Sequence, residues 1–304
     1  MTESYAIGAD IGGSHISCQL FDLHTFQPLP YPEIRMAVDS RGSAETIIQA
    51  WSSAIAEAAS DLELSTLAGI GVAMPGPFDY LQGIGWFRNV EKFDALYGYD
   101  VRNALKSALT LPESFRLRFI NDATAFALGE AIAGKAAHRS RIIAITLGSG
   151  FGATFMSDRL PVTNDPSLPE NGYLYNLPFK DSIADEYFST RWFVNRFMEL
   201  TGQKIAHVKE LIATDTQMAD RMMQEFGFNL GLFMSPWIKT FRAESLIIGG
   251  NIAREMERFA PSLQKSLSLA GHSTECLQAA EGEISALMGS AALCSDDFYA
   301  RINP

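Results

Sequence analysis

Cysteine is scarce in this chain: three occur in 304 residues, Cys18, Cys276 and Cys294. They have no metal-ligand spacing and build no disulfide framework, which fits a reducing compartment where thiols serve as small buried hydrophobes. Long apolar runs are missing as well. The longest, Ile142–Leu147 and Leu246–Ile248, are strand-sized and fall far short of the roughly 18 residues of a membrane span. No apolar stretch follows a basic start, so no leader is expected. Excess positive charge is absent: the net charge is −11 and the pI about 4.9. That argues against nonspecific attachment to nucleic acid or to a membrane surface, although a local basic pocket can still hold a phosphate. Low-complexity tracts are absent too. What remains, 47% hydrophobic and 19% charged residues, is the composition of a cytoplasmic globular protein with one large or two medium domains, an enzyme or a small-molecule binder.

The chain opens with an apolar strand from Tyr5, a glycine turn, and a second strand over Ile16–Phe21; a third around Ile34–Val38 completes a meander. Glycines at such a hairpin permit positive φ and a close backbone approach by a ligand. Ser43 to Asp61 has helical spacing through Ile47, Ile48, Trp51, Ile55, Ala58 and Ala59, with Ser43 or Ala44 near its start. Leu67–Met74 reads as a buried strand, ended by Pro75-Gly76-Pro77. A glycine-rich, aromatic loop from Phe78 to Tyr99 contains Arg88-Asn89, and Asp100 can cap a helix over Val101–Leu109.

From Arg116 to Glu130 an apolar strand runs into Asn121-Asp122, and a helix of small residues, Ala123–Gly134, starts at once behind it. A carboxylate at this junction caps the helix, or is held rigidly and aimed beyond the sheet edge; the two roles are not exclusive. Arg141–Met156 then repeats the opening. A shift of 136 lays Asp10 on Thr146, Gly12 on Gly148 and Ser14 on Gly150. Two copies of one unit, each with its own glycine hairpin, are the expectation, and chance likeness of two hairpins is the alternative. Leu160–Lys180, rich in Pro and Asn, reads as a long functional loop around Glu170-Asn171-Gly172-Tyr173. Helices over Ser182–Thr201, Val208–Ala213 and Met218–Phe241, a strand Ser245–Asn251 and a helix Ala253–Leu269 follow. The tail helix Ser285–Leu293 carries a small face of Ala286, Gly289 and Ala292.

Five segments in order, Asp10-Ile-Gly-Gly-Ser14, Gly71-Val-Ala-Met-Pro-Gly-Pro77, Asn121-Asp-Ala-Thr-Ala125 with Leu128-Gly-Glu130, Leu147-Gly-Ser-Gly-Phe-Gly152 and Ile248-Gly-Gly-Asn251, resemble the ROK family of sugar kinases and repressors, in the actin-like ATPase superfamily. The resemblance covers nearly the whole chain. It implies an α/β, two-domain actin-like ATPase (ribonuclease H-like) fold with duplicated βββαβαβα-type units and an interdomain cleft for nucleotide and sugar. The domains are expected at 1–122 and 123–287, with a tail helix at about 288–304 packing back on the first, and the chain is expected to form a homodimer. The implied activity is ATP-dependent phosphorylation of a hydroxyl of a hexose or amino sugar, glucokinase-like, with ATP and Mg²⁺.

By the same resemblance Asp122 is the general base, ionised near its unperturbed pKa of about 3.9. Gly12, Gly13 and Ser14, with Gly148, Ser149 and Gly150, hold phosphates, the two serines standing where the family usually has Thr. Asp10 binds Mg²⁺ through water, and Gly249, Gly250 and Asn251 lie on the adenosine side. The sugar is met by Gly76, Asn89, Asn121, Asp122, Glu170 and Tyr173, with Asp185 or Glu186 as a second carboxylate: Asp185 keeps the family's register from Ser189, Glu186 keeps its chemistry. Tyr173 replaces the histidine of the family's Glu-x-Gly-His motif, and the cysteine-rich zinc signature that normally follows is missing. No cysteine lies between Cys18 and Cys276 and no histidine between His138 and His207, so a structural zinc, which needs about four Cys/His ligands, is not expected. Regulators of the family carry a helix-turn-helix domain before the first hairpin. Only Met1–Ser4 precede it here, so a kinase without a nucleic-acid partner is expected. A non-catalytic sugar-binding or sugar-sensing protein on the same scaffold is the alternative.

Overall fold

Nearly continuous burial of Tyr5–Ile11, His15–Asp22 and Gly69–Met74, apolar side chains with glycines between them, sets the first sheet. In a computed structural model, which describes residues 4–88, 92–280 and 283–302, strands β1 (Tyr5–Ile11) and β2 (His15–Asp22) form an antiparallel hairpin, and β3 (Ile34–Ala37) pairs with β2. After helix α1 (Ala44–Ala58), strand β4 (Gly69–Met74) pairs parallel with β1. A two-strand ribbon, β5 (Phe78–Asp79) with β6 (Ile84–Gly85), and helix α2 (Val101–Ala108) precede β7 (Leu117–Asn121), parallel to β4, and helix α3 (Asp122–Ile132).

The second sheet repeats this plan. Strands β8 (Arg141–Leu147), β9 (Phe151–Ser157) and β10 (Leu160–Pro161) form the meander. The ribbon β11 (Pro178–Phe179) with β12 (Ser182–Ile183) and helices α4 (Ala184–Tyr187), α5 (Thr190–Thr201), α6 (Val208–Thr214) and α7 (Thr216–Phe241) intervene. Strand β13 (Ser245–Gly249), helix α8 (Met256–Leu269) and strand β14 (Glu275–Gln278) complete the sheet, and helices α9 (Glu283–Ala292) and α10 (Asp296–Ile302) follow. The strand orders β3-β2-β1-β4-β7 and β10-β9-β8-β13-β14 are the same path drawn twice. The shift of 136 holds through the first strand of each copy. The hairpins then differ: Ile11 pairs with Ile16, whereas Leu147 pairs with Phe151. The second turn is one residue shorter, so beyond it the offset is 135, and Ser14 corresponds to Ser149 rather than to Gly150.

The chain forms two compact units, Met1–Ala133 with Glu283–Pro304, and Gly134–Gly282. Helix α3 thus goes with the first unit, where the expected boundary had cut before it. The reason lies in small residues. On β1 and β4 the side chains of Ile7, Ala9, Ile11, Ile70, Val72 and Met74 enter the core under α1, while Gly8 and Gly71 turn toward α9. A Cβ on Gly8 would stand 1.9 Å from the Leu287 carbonyl oxygen, and one on Gly71 1.7 Å from that of Ser290. Helix α3 meets α9 in the same way, Gly129 against Ser285 and Gly289 against Ala125, each at 1.9 Å. Glu130, fully buried, takes a hydrogen bond of 2.7 Å from Ser285 Oγ.

The second unit is built on aromatic rings. Phe188 contacts both Phe226 and Phe233, and Phe151 packs on Phe188 and Phe233. Phe179, on the short ribbon, packs 5.0 Å from Tyr187, 5.2 Å from Phe188 and 5.5 Å from Phe233, at separations typical of tilted and edge-on aromatic pairs. The stretch expected as one loop therefore ends in the first strand of this ribbon, and the expected helix begins with its second. The helix expected over Ser182–Thr201 is broken at Phe188-Ser189, because Phe188 turns into the core and the Thr190 N–H bonds the Gly148 carbonyl instead of continuing a helix. Strand β14 lies outside every expected element, and the tail expected as one helix is two, α9 and α10. Ser43 and Asp100 do cap α1 and α2, accepting from Thr46 N–H at 3.3 Å and Asn103 N–H at 2.9 Å. Cys18 and Cys294 are buried and Cys276 half-buried; burial pushes all three thiols up, Cys276 and Cys294 to about 12.

A methyl group at Gly71 or Gly289 has nowhere to go, since the atom it meets is backbone. Gly71→Ala and Gly289→Ala are each expected to destabilise the first unit by about 1–3 kcal/mol or more, read as a lower urea midpoint. A loss below about 0.5 kcal/mol, the range of ordinary surface changes, would mean that α9 does not lie that close.

Candidate active site

Three parallel strands of the first unit, β1, β4 and β7, point their carboxyl ends the same way, the edge at which open α/β sheets take ligands. Asp10 pairs with Ala73 and Ala73 with Ile120, so these residues share a row, with neighbouring strands about 4.8 Å apart. Beyond that row lie the Gly12–Ser14 turn, Gly76 and Asn121-Asp122. The turn is closed by Gly12 N–H donating to the His15 carbonyl at 2.9 Å, and Ser14 Oγ shares a hydrogen bond of 3.1 Å with His15 Nδ1.

At the junction of β7 and α3 the cap is Asn121, not Asp122. Asn121 has extended backbone, and its Oδ1 accepts from Thr124 N–H at 3.2 Å. Its Nδ2 donates to Tyr80 Oη at 3.2 Å and to Asp122 Oδ1 at 3.0 Å. The amide proposed from sequence for sugar contact is thus occupied at both ends by the protein. Asp122 is the first helical residue, half-buried. Its Oδ1 also accepts from Ala123 N–H at 2.8 Å. Both bonds fall on Oδ1; Oδ2 carries neither. Burial pushes the Asp122 carboxyl above the usual aspartate range, against the opposing pull of the Ala123 N–H, the Lys92 ammonium, its own N–H and the Asn121 side chain. The sequence expectation of an unperturbed carboxyl is corrected here by desolvation.

Two side chains of this region carried no sequence signal. Tyr80 Oη donates to the Met74 carbonyl at 3.2 Å while receiving Asn121, and it would lie 3.5 Å from a Cβ on Gly76, so it ties the end of β4 to the end of β7. Lys92 passes its Cδ 3.4 Å from the position of a Cβ on Gly13 and is close enough to Asp122 to draw its carboxyl down. One cation therefore serves both the first glycine turn and the carboxylate. Neither belongs to a motif; both lie in a loop whose path only the fold supplies. Asn89 lies outside the described residues.

In the second unit the two glycine motifs come together. Gly250 has φ +89°, and a Cβ there would stand 2.4 Å from the Leu147 carbonyl oxygen, so only glycine lets the end of β13 back onto the end of β8. A Cβ on Gly148 would meet nothing within 4 Å. Asn251 is exposed and its side chain makes no capping bond. Asp185 Oδ1 accepts from Phe151 N–H at 2.6 Å, and Oδ2 pairs with Arg191. Arg191 also donates to the Ser149 carbonyl at 2.9 Å and to Glu186 Oε1 at 3.0 Å. Both candidate carboxylates are therefore bound to one guanidinium that braces the Gly148–Gly150 turn, and Arg191 is a residue the sequence did not single out. Glu170 is exposed on a short 3-10 turn, and Tyr173 is half-buried, its ring 6.0 Å from Tyr175. The Tyr175 carbonyl accepts from Asp185 N–H at 2.8 Å, which ties the Tyr173 segment to the carboxylate pair. Among the described residues no group of three or more His, Cys, Asp or Glu is arranged to hold a metal, and no helix is long and apolar enough to cross a membrane.

Residues 6–166 match the model of the ROK family. The chain belongs to the ROK family. Its fold is the two-sheet α/β architecture of the actin-like ATPases, shared with solved structures at low identity. Among these, a ROK hexokinase from Thermus thermophilus has a TM-score of 0.74 at 19% identity, covering 95% of this chain and 97% of that one. A ROK glucokinase from Streptomyces griseus, in complex with glucose and AMPPNP, gives 0.73 at 20%, covering 95% and 98%. A ROK transcriptional regulator homologous to the E. coli Mlc protein gives 0.77 at 17%, covering 98% of this chain and 79% of that one. The xylose repressor of Bacillus subtilis (strain 168) is 23% identical over 249 residues, 76% of this chain and 62% of the repressor's own length. The family thus joins sugar kinases and repressors on one scaffold.

A carboxyl whose folded pKa is raised is penalised once charged. Its contribution to stability is whole below the unfolded pKa, near 3.8, and is lost as pH rises through the folded value. Asp122→Asn is therefore expected to raise the urea midpoint at pH 7, with the gain vanishing toward pH 4. A midpoint unchanged or lowered at pH 7 contradicts a desolvated carboxylate.

Proposed function

We propose that the chain is an ATP-dependent sugar kinase, glucokinase-like, which phosphorylates a hydroxyl of a hexose or amino sugar in the cytoplasm as a homodimer, with Asp122 as general base. The observation that carries this reading is Asp122 itself: a carboxylate at the carboxyl end of β7, anchored through Oδ1 and made more basic by burial. A base with a raised pKa, nearer the working pH, transfers protons more effectively. Asp122 Oδ2 takes the proton of the sugar hydroxyl as that oxygen bonds to the γ-phosphorus. The bond from phosphorus to the β-γ bridging oxygen breaks, and ADP leaves. Phosphoryl transfer asks the protein chiefly for position and charge. Lys92 supplies a cation beside both Gly13 and Asp122.

The turns suit phosphates. Among the described residues nothing lies within 4 Å of a Cβ on Gly148, and only the Lys92 stem near one on Gly13, so phosphate oxygens can reach the backbone where a side chain would block them. The hard carboxylate oxygens of Asp10 and Asp122 fit Mg²⁺, which Asp10 would hold through water; when bound, the ion supplies charge neutralisation at the phosphates. Gly249, Gly250 and Asn251 take the adenosine side, and Gly76 and Glu170 with Tyr173 the sugar. Arg191 holds Asp185 and Glu186 beside the second turn, ready to exchange a protein contact for a sugar hydroxyl. The glucose and AMPPNP bound by the Streptomyces relative support this reading. A second reading, a sugar-binding regulator, is favoured by the likeness to the xylose repressor and the Mlc homologue.

A coupled ADP-release assay over hexoses and N-acetylhexosamines separates the two. Turnover is expected with at least one sugar, and Asp122→Ala is expected to lower kcat about 10²–10⁴-fold while sugar binding persists. Sugar binding without turnover on any member of the panel would leave the regulator. Lys92→Met removes the cation that opposes burial, so the acid limb of its kcat/KM profile is expected to move to higher pH, with Lys92→Arg returning it toward the wild type. Metal analysis of purified protein is expected to find no stoichiometric zinc; finding it would mean that the Tyr173 loop has been misjudged.

A further inference from the structure

The start of β7 gathers positive charge in a chain whose net charge is −11. Arg102 and Lys106 stand four apart on α2, hence on one helix face. Arg116 and Arg118 stand two apart leading into β7, hence on one strand face. These four side chains line a depression of about 280 Å³, walled by Leu81 and Phe115, with no acid in its lining. Among the described residues, Arg116 and Arg118 share a counter-charge. Asp296 of α10, itself exposed, bonds Arg116 at 2.8 Å and Arg118 at 2.6 Å, and Tyr299 stacks 3.9 Å beneath the Arg118 guanidinium.

The two cations of α2 have no such relief. Lys106 is buried and its ammonium meets the Glu113 carbonyl. Arg102 reaches the Tyr80 carbonyl at 3.5 Å through Nη2, and its Nε is buried with no hydrogen-bond partner. Among the described residues neither forms an ion pair. Like charges gathered in one depression repel, and a buried donor left unpaired is costly. An anion with several acceptor oxygens seated in the depression neutralises that repulsion. A dianionic phosphate monoester matches the set: three terminal oxygens for planar guanidinium forks and an ammonium, and a small body to lie on Leu81 and Phe115. The volume is at the foot of the roughly 300–1,000 Å³ range of small-molecule sites, which fits a phosphate with one ring and excludes a nucleic-acid duplex.

We propose that this depression on the first unit binds a small phosphate monoester, at the end of β7 opposite Asp122 and apart from the glycine turns. Calorimetric titration of the full chain with inorganic phosphate and with a hexose phosphate, in chloride buffer, tests this without reference to turnover and so stands or falls separately from the kinase reading. A saturable site that survives Gly148→Val is expected, with the hexose phosphate bound there more tightly than inorganic phosphate. Arg102→Gln with Lys106→Gln is expected to weaken it about ten-fold or more, and Gly148→Val, which obstructs a phosphate turn, to leave it unchanged. Should the double variant fail to fold, Arg116→Gln on the rim reads the same loss. Absence of saturable binding, equal affinity for the two probes, or loss in Gly148→Val with retention in the cationic variants would each overturn the proposal.

Discussion

The architecture of the first unit depends on backbone lying against backbone. Gly8, Gly71, Gly129 and Gly289 each remove a Cβ that would fall within 2 Å of a carbonyl oxygen, and what that absence permits is a helix seated on two strands and against a second helix at once. Burying β1 and β4 on both faces follows from this, since the opposite face is already closed by Ile7, Ile70 and Val72. With the strands immobilised from both sides, their carboxyl ends become rigid supports. Asp10, the Gly12–Ser14 turn and Asp122 are presented from such supports rather than from free loops, and rigid support is what a site dependent on positioning requires.

The two units solve the same structural problem with different chemistry. The first closes by small residues, the second by rings: Phe151, Phe179, Phe188, Phe226 and Phe233 form one connected aromatic body. That body reaches the surface at the β11–β12 ribbon, where Phe179 anchors the segment and Tyr187 donates to Asp181. Here packing area and edge-on ring contacts hold it, and the interior continues into the loop without a change of material.

Much of this was legible in the sequence because glycine and proline mark backbone events unambiguously. The two hairpins, the end of β4 at Pro75, the caps at Ser43 and Asp100 and the strand-to-helix step at Asn121-Asp122 each have a local cause that residue order preserves. The repeat was legible to within one residue; the shorter second turn escaped because Gly148-Ser149-Gly150 aligns as well with either offset until strand pairing settles it. Assigning the cap to Asp122 missed because Asn and Asp cap equally well and stand side by side; only the backbone angles tell them apart. Tyr80, Lys92 and Arg191 were illegible for another reason. Each works at long range in the chain, Tyr80 on Asn121, Lys92 on Asp122 and Gly13, Arg191 on Ser149, and no local pattern records a meeting made by the fold. Strand β14 is short and half-exposed, so neither periodicity nor burial had length enough to show.

The placement of α9 has a consequence for biogenesis. The helix that covers β1 and β4 follows the entire Gly134–Gly282 unit in the sequence, so a ribosome delivers the glycine faces of both strands long before it delivers their cover. The second unit, contiguous in the chain, can condense as soon as β14 has emerged, whereas the first must wait, half its sheet uncovered, for α9. Order of synthesis and order of completion are thereby reversed, and the interval between them is the period in which the nascent chain most needs a chaperone.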